Sequence, residues 1–477
     1  MRRALALMAA MVLLSPLAAG AQEGRAALEK VSAALGAGSV KTLQVTASGV
    51  NFAVGQSPAP GVAWPRINVK SLTRTVNYET RSLRDELVRT QALDPPRGGG
   101  GQPIAGEQRQ NFNVSGDHAW NVVGDAATSV PITLVDRQFQ LWSTPHGVVK
   151  AALAGNATVS GRLITFSVPG RFIIRATVDD RGLIEKVEGV VSNAVLGDMP
   201  VEVAYADYRD FGGVKFPTKI RQMAGGYPSL DVTVSDVRVN VPADIAVPEA
   251  VRQAANPYTR VTVEKVADGV WYLTGGTHHS VAIEMKDHMI VVEGPLNDQR
   301  ALAMIAEVRK LVPTKPIRSV INSHHHFDHA GGLRAIAGEG ITIITHEVNR
   351  RFLEQVTAAP ATVSPDHLAR SGRRGRVEAV GERETLTDGT RVVEIHHIAG
   401  FGHHDGTVMV YLPKERLLVQ ADAYNPLPPN AAPPSPPHPG HVALADNIAR
   451  LRLGVDQILA LHVRMVPITE LHRMVGR

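Results

Sequence analysis

The chain of 477 residues contains no cysteine. That excludes a disulfide framework and a lipid-modified N-terminal cysteine. Any bound metal must be held by nitrogen and oxygen atoms. Blocks of Lys and Arg interleaved with aromatics are also missing. Lys and Arg number 50 against 45 Asp and Glu, a formal charge of +5, so nucleic acid is not an expected partner. There is no Gly-x-Ser-x-Gly element for a serine nucleophile and no glycine-rich dinucleotide fingerprint. Beyond the first residues, no apolar run is long enough to cross a bilayer as a helix.

What is present begins with a targeting pattern. Met1 to Ala21 reads as a secretory signal peptide: Arg2 and Arg3 supply the charge, Leu5 to Leu17 the apolar region, and Ala19-Gly20-Ala21 the small residues for cleavage. An uncleaved anchor is the alternative. The expected mature protein is periplasmic or secreted, has no membrane span, and carries a charge of +3 once the two arginines are removed from +5. An apolar fraction of 44% over this length allows two or three packed domains.

Residues 22–256 read as β-rich. The spacing of Ala27, Leu28, Val31 and Leu35 predicts a helix over Arg25 to Leu35, stopped by Gly36. Strands are expected over Leu43 to Val54 and Ser71 to Thr90, with a flexible loop at Arg97 to Gln102. A hairpin should turn at Ser115-Gly116-Asp117, and Thr133 to Ala154 is more helical. Turn signals from Pro169-Gly170 to Gly225-Gly226 space Leu163 to Val241 as an antiparallel meander. Tyr205 to Asn240 loosely resembles periplasmic lipoprotein-carrier-like β half-barrels. Such a sheet could hold a substrate or partner, or could cap a catalytic unit, and fold alone does not choose. A substrate platform predicts that deleting residues 22–256 spares the chemistry but loses large hydrophobic substrates.

The proline-punctuated stretch Val241 to Pro257 marks the expected boundary, giving a second domain at 257–477. Short strands are expected there, with a helix over Asp298 to Leu311 capped by Asn297. The apolar run Ile317 to Ile321 leads into His324-His325-His326-Phe327-Asp328-His329-Ala330-Gly331-Gly332. In extended backbone, residues two apart point the same way, so His324 and His326 can share one metal. Asp328 and His329, turned the other way, can reach a second, and Gly331-Gly332 allows a tight turn as a helix begins. A solvated His tag would sit at a terminus and lack the aspartate.

These residues resemble the metallo-β-lactamase superfamily, over roughly Val261 to the C-terminus. The resemblance implies an αββα sandwich here, so that with the β-rich residues before it the expected chain is α+β, a mostly antiparallel β N-terminal domain preceding the sandwich. It implies that His403, in Gly402-His403-His404-Asp405-Gly406, completes the first site with His324 and His326. Asp422, closing the run Leu417 to Ala421, would bridge two metals, and His462 would join Asp328 and His329 at the second. The family often places glycine before that aspartate and after that histidine, where this chain has Ala421 and Val463. His472 is the alternative to His462. Glu293 stands where the family commonly has aspartate and is expected to brace the ligand loop, as are His279 and His397.

His278 and His279 read first as a surface loop and second as pocket lining. Of His396 and His397, one is expected to face the site. His404 reads as a neighbour of the ligands, and His325 points away from them. The Pro-rich segment Pro426 to Pro439 is expected beside the metal pocket, as a substrate-bounding loop or a linker.

Two divalent ions on His and Asp suit Zn²⁺ best, with Fe or Mn also admitted. Such ions lower the pKa of a shared water from about 15.7 toward about 7 and polarise a substrate oxygen. Asp328 can orient that nucleophile and handle its proton. The expectation is a metal-dependent hydrolase acting on a small-molecule ester, lactone, thioester, sulfate ester or lactam. There is no room for a large inserted domain between Asp422 and His462, which disfavours a nuclease. Alternatives are an iron-dependent oxygenase or oxidoreductase on the same fold, and a periplasmic binding or carrier protein with a structural metal. Related folds often dimerise, so a homo-oligomer is compatible with this reading.

Overall fold

The structure is a computed structural model that describes residues 16–155 and 157–477, without the side chains of 16–21. Residues 1–15 of the expected signal peptide lie outside the described residues. The first helix runs Pro16–Leu35, longer than expected at its start, and ends where Gly36 takes a left-handed φ of 67°.

Residues 42–239 form one antiparallel sheet of 13 strands. Its first strand, Thr42–Phe52, pairs with its last, Tyr227–Val239, in the middle of the sheet. Successive hairpins then run outward on both sides. Tyr205 to Asn240 therefore contributes central strands. Strand Gly197–Asp210 alternates buried and solvent-facing residues for most of its length, as a sheet covered on one face requires. That face packs on helices Pro16–Leu35, Leu134–Ser143 and Pro145–Ala154 through Leu28, Val31, Phe139, Val148 and Val149.

Residues 262–467 form two further sheets. In the seven-stranded one, Met289–Val292, Ile317–Ile321, Thr342–His346 and Val377–Val380 run parallel. In the six-stranded one, Leu417–Gln420 and Gln457–Ala460 run parallel. The two face each other across a layer of Val281, Ile283, Ile290, Ile321, Ile395, Val410 and Val419. Helices Asp298–Leu311, Leu333–Gly338 and Glu347–Ala358 cover the outside of the first. Pro439–Arg450 and Ile468–Val475 cover the second. The order is αββα, as expected. Asn297 caps its helix, its side chain accepting from the Arg300 amide.

Gly331 and Gly332 do mark a helix start, for a different reason than turning. Gly331 has an ordinary φ of −63°. A Cβ there would lie 1.9 Å from the Leu296 carbonyl oxygen, and one on Gly332 would lie 2.7 Å from that of Gly294. Glycine is needed because two backbones touch.

Candidate metal centre

The expected ligands leave the carboxyl ends of parallel strands, where open α/β sheets gather their functional residues. His324 follows Ile317–Ile321, Asp422 follows Leu417–Gln420, and His462 follows Gln457–Ala460. His324, His326 and His403 converge, with one ligand atom of each within 4.8 Å of the others. His278, Asp328, His329 and His462 make a second such group, and Asp422 joins His324 and His329. Asp422 Oδ2 stands 2.8 Å from His329 Nε2, 3.6 Å from His324 Nε2 and 3.7 Å from His403 Nε2. Its Oδ1 is 3.3 Å from His462 Nε2. One carboxylate therefore faces both groups. His472, on the last helix, is absent from both.

The hydrogen bonds around the first group select one nitrogen on each of two rings. Ser323 donates to Glu293, so its Oγ accepts from His324 Nδ1–H at 3.0 Å and leaves Nε2 bare. The Ser57 carbonyl accepts from His326 Nε2–H at 2.8 Å and leaves Nδ1 bare. His324 Nε2, His326 Nδ1 and His403 Nε2 are all buried without a hydrogen-bond partner. A buried polar atom left unmade costs about 1–3 kcal/mol, so three converging ones call for an occupant. Lone pairs of neutral imidazoles fit a divalent cation. Burial and the neighbouring histidines hold the pKa of His324 and of His326 well below the usual value, which keeps those lone pairs free.

In the second group burial lowers the pKa of His329, but Asp328, Asp422 and Glu293 outweigh it and raise it well above normal. Burial opposes ionisation of Asp328, yet His329 and the His278 hydrogen bond hold it below the usual carboxylate range. Glu293 has no solvent exposure and accepts from Asn322 Nδ2 at 2.9 Å, from His329 Nδ1 at 3.0 Å, and from Ser323. These bonds tie it to the loop that carries His324 to His329.

Two expectations are corrected. His278, read first as surface, lies inside the second group, its Nε2 3.2 Å from Asp328 Oδ2 and its ring 4.2 Å from that of His462. His279 is buried on the other side, its Nε2 donating to the Val463 carbonyl at 3.2 Å and its amide to Leu461. It fixes the segment that carries His462. His397 faces away from the ligands. It pairs with Glu382 at 2.9 Å and donates to the Asp405 carbonyl at 2.9 Å, which steadies the His403 loop indirectly. With His346 and Glu382 it forms a separate group.

His325 and His404 form a buried relay. The Gly406 amide donates to His404 Nδ1, His404 Nε2–H to His325 Nδ1 at 2.5 Å, and His325 Nε2–H to Ser57 Oγ at 3.0 Å. His404 is thus a neighbour of the expected ligands, and His325, expected to point away from them, is turned to His404 and Ser57. His403, Asp422, Phe401 and His438 line one cleft with Gly98 and Gln102. The end of the Pro-rich segment thus borders the site.

Sequence reasoning missed Gln56. Its Nε2 donates to Asp328 Oδ1 at 2.8 Å across 272 positions of chain. Nothing local marks it. The signal for His278 was weak but present: a histidine pair after Gly275-Gly276, at the start of strand Ser280–Glu284.

Residues 273–456 match the family model for the metallo-β-lactamase superfamily. This part of the chain is a metallo-β-lactamase superfamily domain. A curated relative, the 2,4-dinitroanisole O-demethylase subunit alpha of Nocardioides sp. (strain JS1661), is 28% identical over 167 residues. The match takes in 34% of this chain and spans 46% of that relative. Among solved structures, a metallo-β-lactamase from Pontibacter korlensis aligns at 16% identity with a TM-score of 0.36, covering 46% of this chain and 98% of that one. FIM-1 from Pseudomonas aeruginosa, in its mono-zinc form, aligns at 21% and 0.34, covering 45% and 93%. Metallo-β-lactamase superfamily membership goes with metal-dependent hydrolysis or related chemistry. Among the described residues no helix is long and apolar enough to cross a membrane.

Proposed function

We propose that this protein is a metal-dependent hydrolase of small molecules, with two divalent ions, Zn²⁺ fitting best, held by the two groups described. His324, His326 and His403 would hold one, and Asp328, His329 and His462 the other, with Asp422 shared and His278 in reach of the second. The observation that carries this reading is the convergence of three buried, unpartnered imidazole nitrogens. Bound ions would supply Lewis acidity and a water activated at neutral pH. The chain's own part is orientation. Glu293 and Ser323 hold His324 and His329 in fixed tautomers, and the Ser57 carbonyl holds His326. Asp328, tied by one oxygen to Gln56, keeps the other toward the cluster, where it can align a nucleophile and take its proton.

The substrate class is an ester, lactone, thioester, sulfate ester or lactam small enough for the cleft between His403, Gln102 and His438. The relative named for O-demethylation of 2,4-dinitroanisole adds an activated aryl methyl ether to the compounds worth assaying. We also propose export, on the Met1 to Ala21 pattern, which the mass of the mature N-terminus from a periplasmic fraction would test.

The deciding experiment pairs metal analysis of protein purified without added metal with a chromogenic panel of these substrates. About two zinc ions per chain and turnover of one class, lost in Asp328→Ala, is the expected result. Iron as the dominant metal would turn the reading toward an oxidoreductase. Full activity in Asp328→Ala on a substrate the wild type turns over would rule out Asp328 as the group that aligns the nucleophile, and the mechanism with it.

A further inference from the structure

The loop after strand Thr42–Phe52 leaves the large sheet and lies on the ligand-bearing loop. Gly55 accepts from the Phe327 amide at 3.1 Å, Pro58 from the Asp405 amide at 2.8 Å, and Ser57 from His326. A second loop joins it: the Gly98 amide donates to the Gly402 carbonyl at 3.0 Å, and Arg97 pairs with Asp405. Gly55 and Gly99 both pack tightly at this contact. A Cβ on Gly55, at φ 75°, would lie 2.3 Å from the Phe327 ring. One on Gly99 would lie 2.0 Å from Gln56 Oε1.

The Gln56 side chain is oriented at both ends. Its Oε1 accepts from the Gly100 amide at 3.1 Å, which leaves Nε2 as the atom facing Asp328 Oδ1. Its backbone is fixed as well, the carbonyl accepting from Gly99 and the amide donating to Ala53. With Oδ1 engaged, only Oδ2 of Asp328 faces His278, at 3.2 Å, and His329, at 3.6 Å.

We propose that Gln56 is a positioning residue for the second metal, holding Asp328 to one-oxygen binding through Oδ2. By this contact the N-terminal sheet region becomes part of the metal centre. The inference rests on the two-metal reading above. Without the amide, Asp328 can rotate and offer either oxygen, so its geometry at the second group is no longer preset. The first group should be spared. The hydrogen bonds of the Gln56 side chain go to Asp328 and the Gly100 amide, not to its three histidines, and the Ser57 carbonyl that orients His326 belongs to the backbone.

The test uses the full chain, stripped of metal and titrated with Co²⁺ and with Zn²⁺ against a competing chelator, for wild type, Gln56→Leu and Gln56→Glu. The cobalt absorption bands follow the two sites. In Gln56→Leu the first ion should bind within about twofold of wild type and the second at least about tenfold more weakly, the range seen when a ligand loses its supporting hydrogen bond. Gln56→Glu, near in size but setting an acceptor against Asp328, should lose more. Thermal unfolding of the metal-free variants reports whether folding itself has changed. Unchanged affinity for the second ion in both variants would overturn the proposal. So would equal weakening of both ions, which marks a purely structural role. A wild type that binds no ion at all would overturn the two-metal reading first, and is seen before any variant is compared.

Discussion

Val463 has a φ of 69°, in the left-handed region that a β-branched residue rarely enters. It follows His462, and its carbonyl accepts from His279. His462 then faces Asp422, and glycine could take the same bend without strain. Val463 is 58% exposed, so its side chain gains little from packing. Val463→Gly should relieve about 1–2 kcal/mol of backbone cost against up to about 1 kcal/mol of added chain entropy. A small rise in thermal midpoint is expected, with the metal content unchanged. Glu293 is strained in the same way, at φ 76°, but there the side chain is needed. Glu293→Gln keeps the shape and loses the charge that His329 and Ser323 donate to. Metal affinity at the second group should fall about 10–100-fold, measured by chelator competition.

At the scale of elements, much of this fold was legible where periodicity is local. The helix Asp298–Leu311 and the strand Ile317–Ile321 came out at their exact bounds because caps and apolar faces lie within a few residues of each other. The candidate ligands His324, His326 and Asp328 could be grouped because they share one loop. The short helices Phe327–Ala330 and Leu333–Gly338 could not be separated from that loop, since their glycines read as a turn and are in fact close backbone contacts. The helical stretch Thr133 to Ala154 was readable, but not its division into Leu134–Ser143 and Pro145–Ala154, nor the state of His146. The His146 ring is fully buried, stacks on Phe216 and donates to the Leu35 carbonyl at 3.3 Å. Burial pushes its pKa down to about 4. The unfolded chain binds the proton below about 6.5 and the folded one only below about 4, so stability falls as pH drops through that window. The loss is on the order of 3 kcal/mol for this one group. In denaturant titrations between pH 7 and 4, His146→Leu should show a visibly shallower pH dependence than wild type.

At the scale of the whole molecule, contacts between the two parts of the chain are what local patterns could least reveal. Asn322 and Glu293 are separated by 29 positions, whereas Gln56 and Asp328 are separated by 272. The contacts also extend beyond the metal centre. Val195, from the sheet region, sits in the same core cluster as Leu273, Met304 and Ile336. Asp198 accepts from the Thr362 amide at 2.9 Å and from its hydroxyl at 2.6 Å. Trp64 stands edge-on to Phe327 at 6.3 Å, one residue from Asp328. A detachable substrate platform would leave none of these groups unpaired on removal. In this protein, a chain of residues 257–477 alone exposes Phe327, strips the acceptor from His326 Nε2–H and frees Asp328 Oδ1. His326 can then present either nitrogen, so the first ion should suffer as well as the second. The expected outcome is a fragment that aggregates or, where soluble, holds fewer than two metal ions by mass spectrometry and turns over no substrate of the panel. A soluble fragment with two tightly bound ions and unchanged turnover of small substrates would mean instead that the sheet serves only as a platform for larger ones.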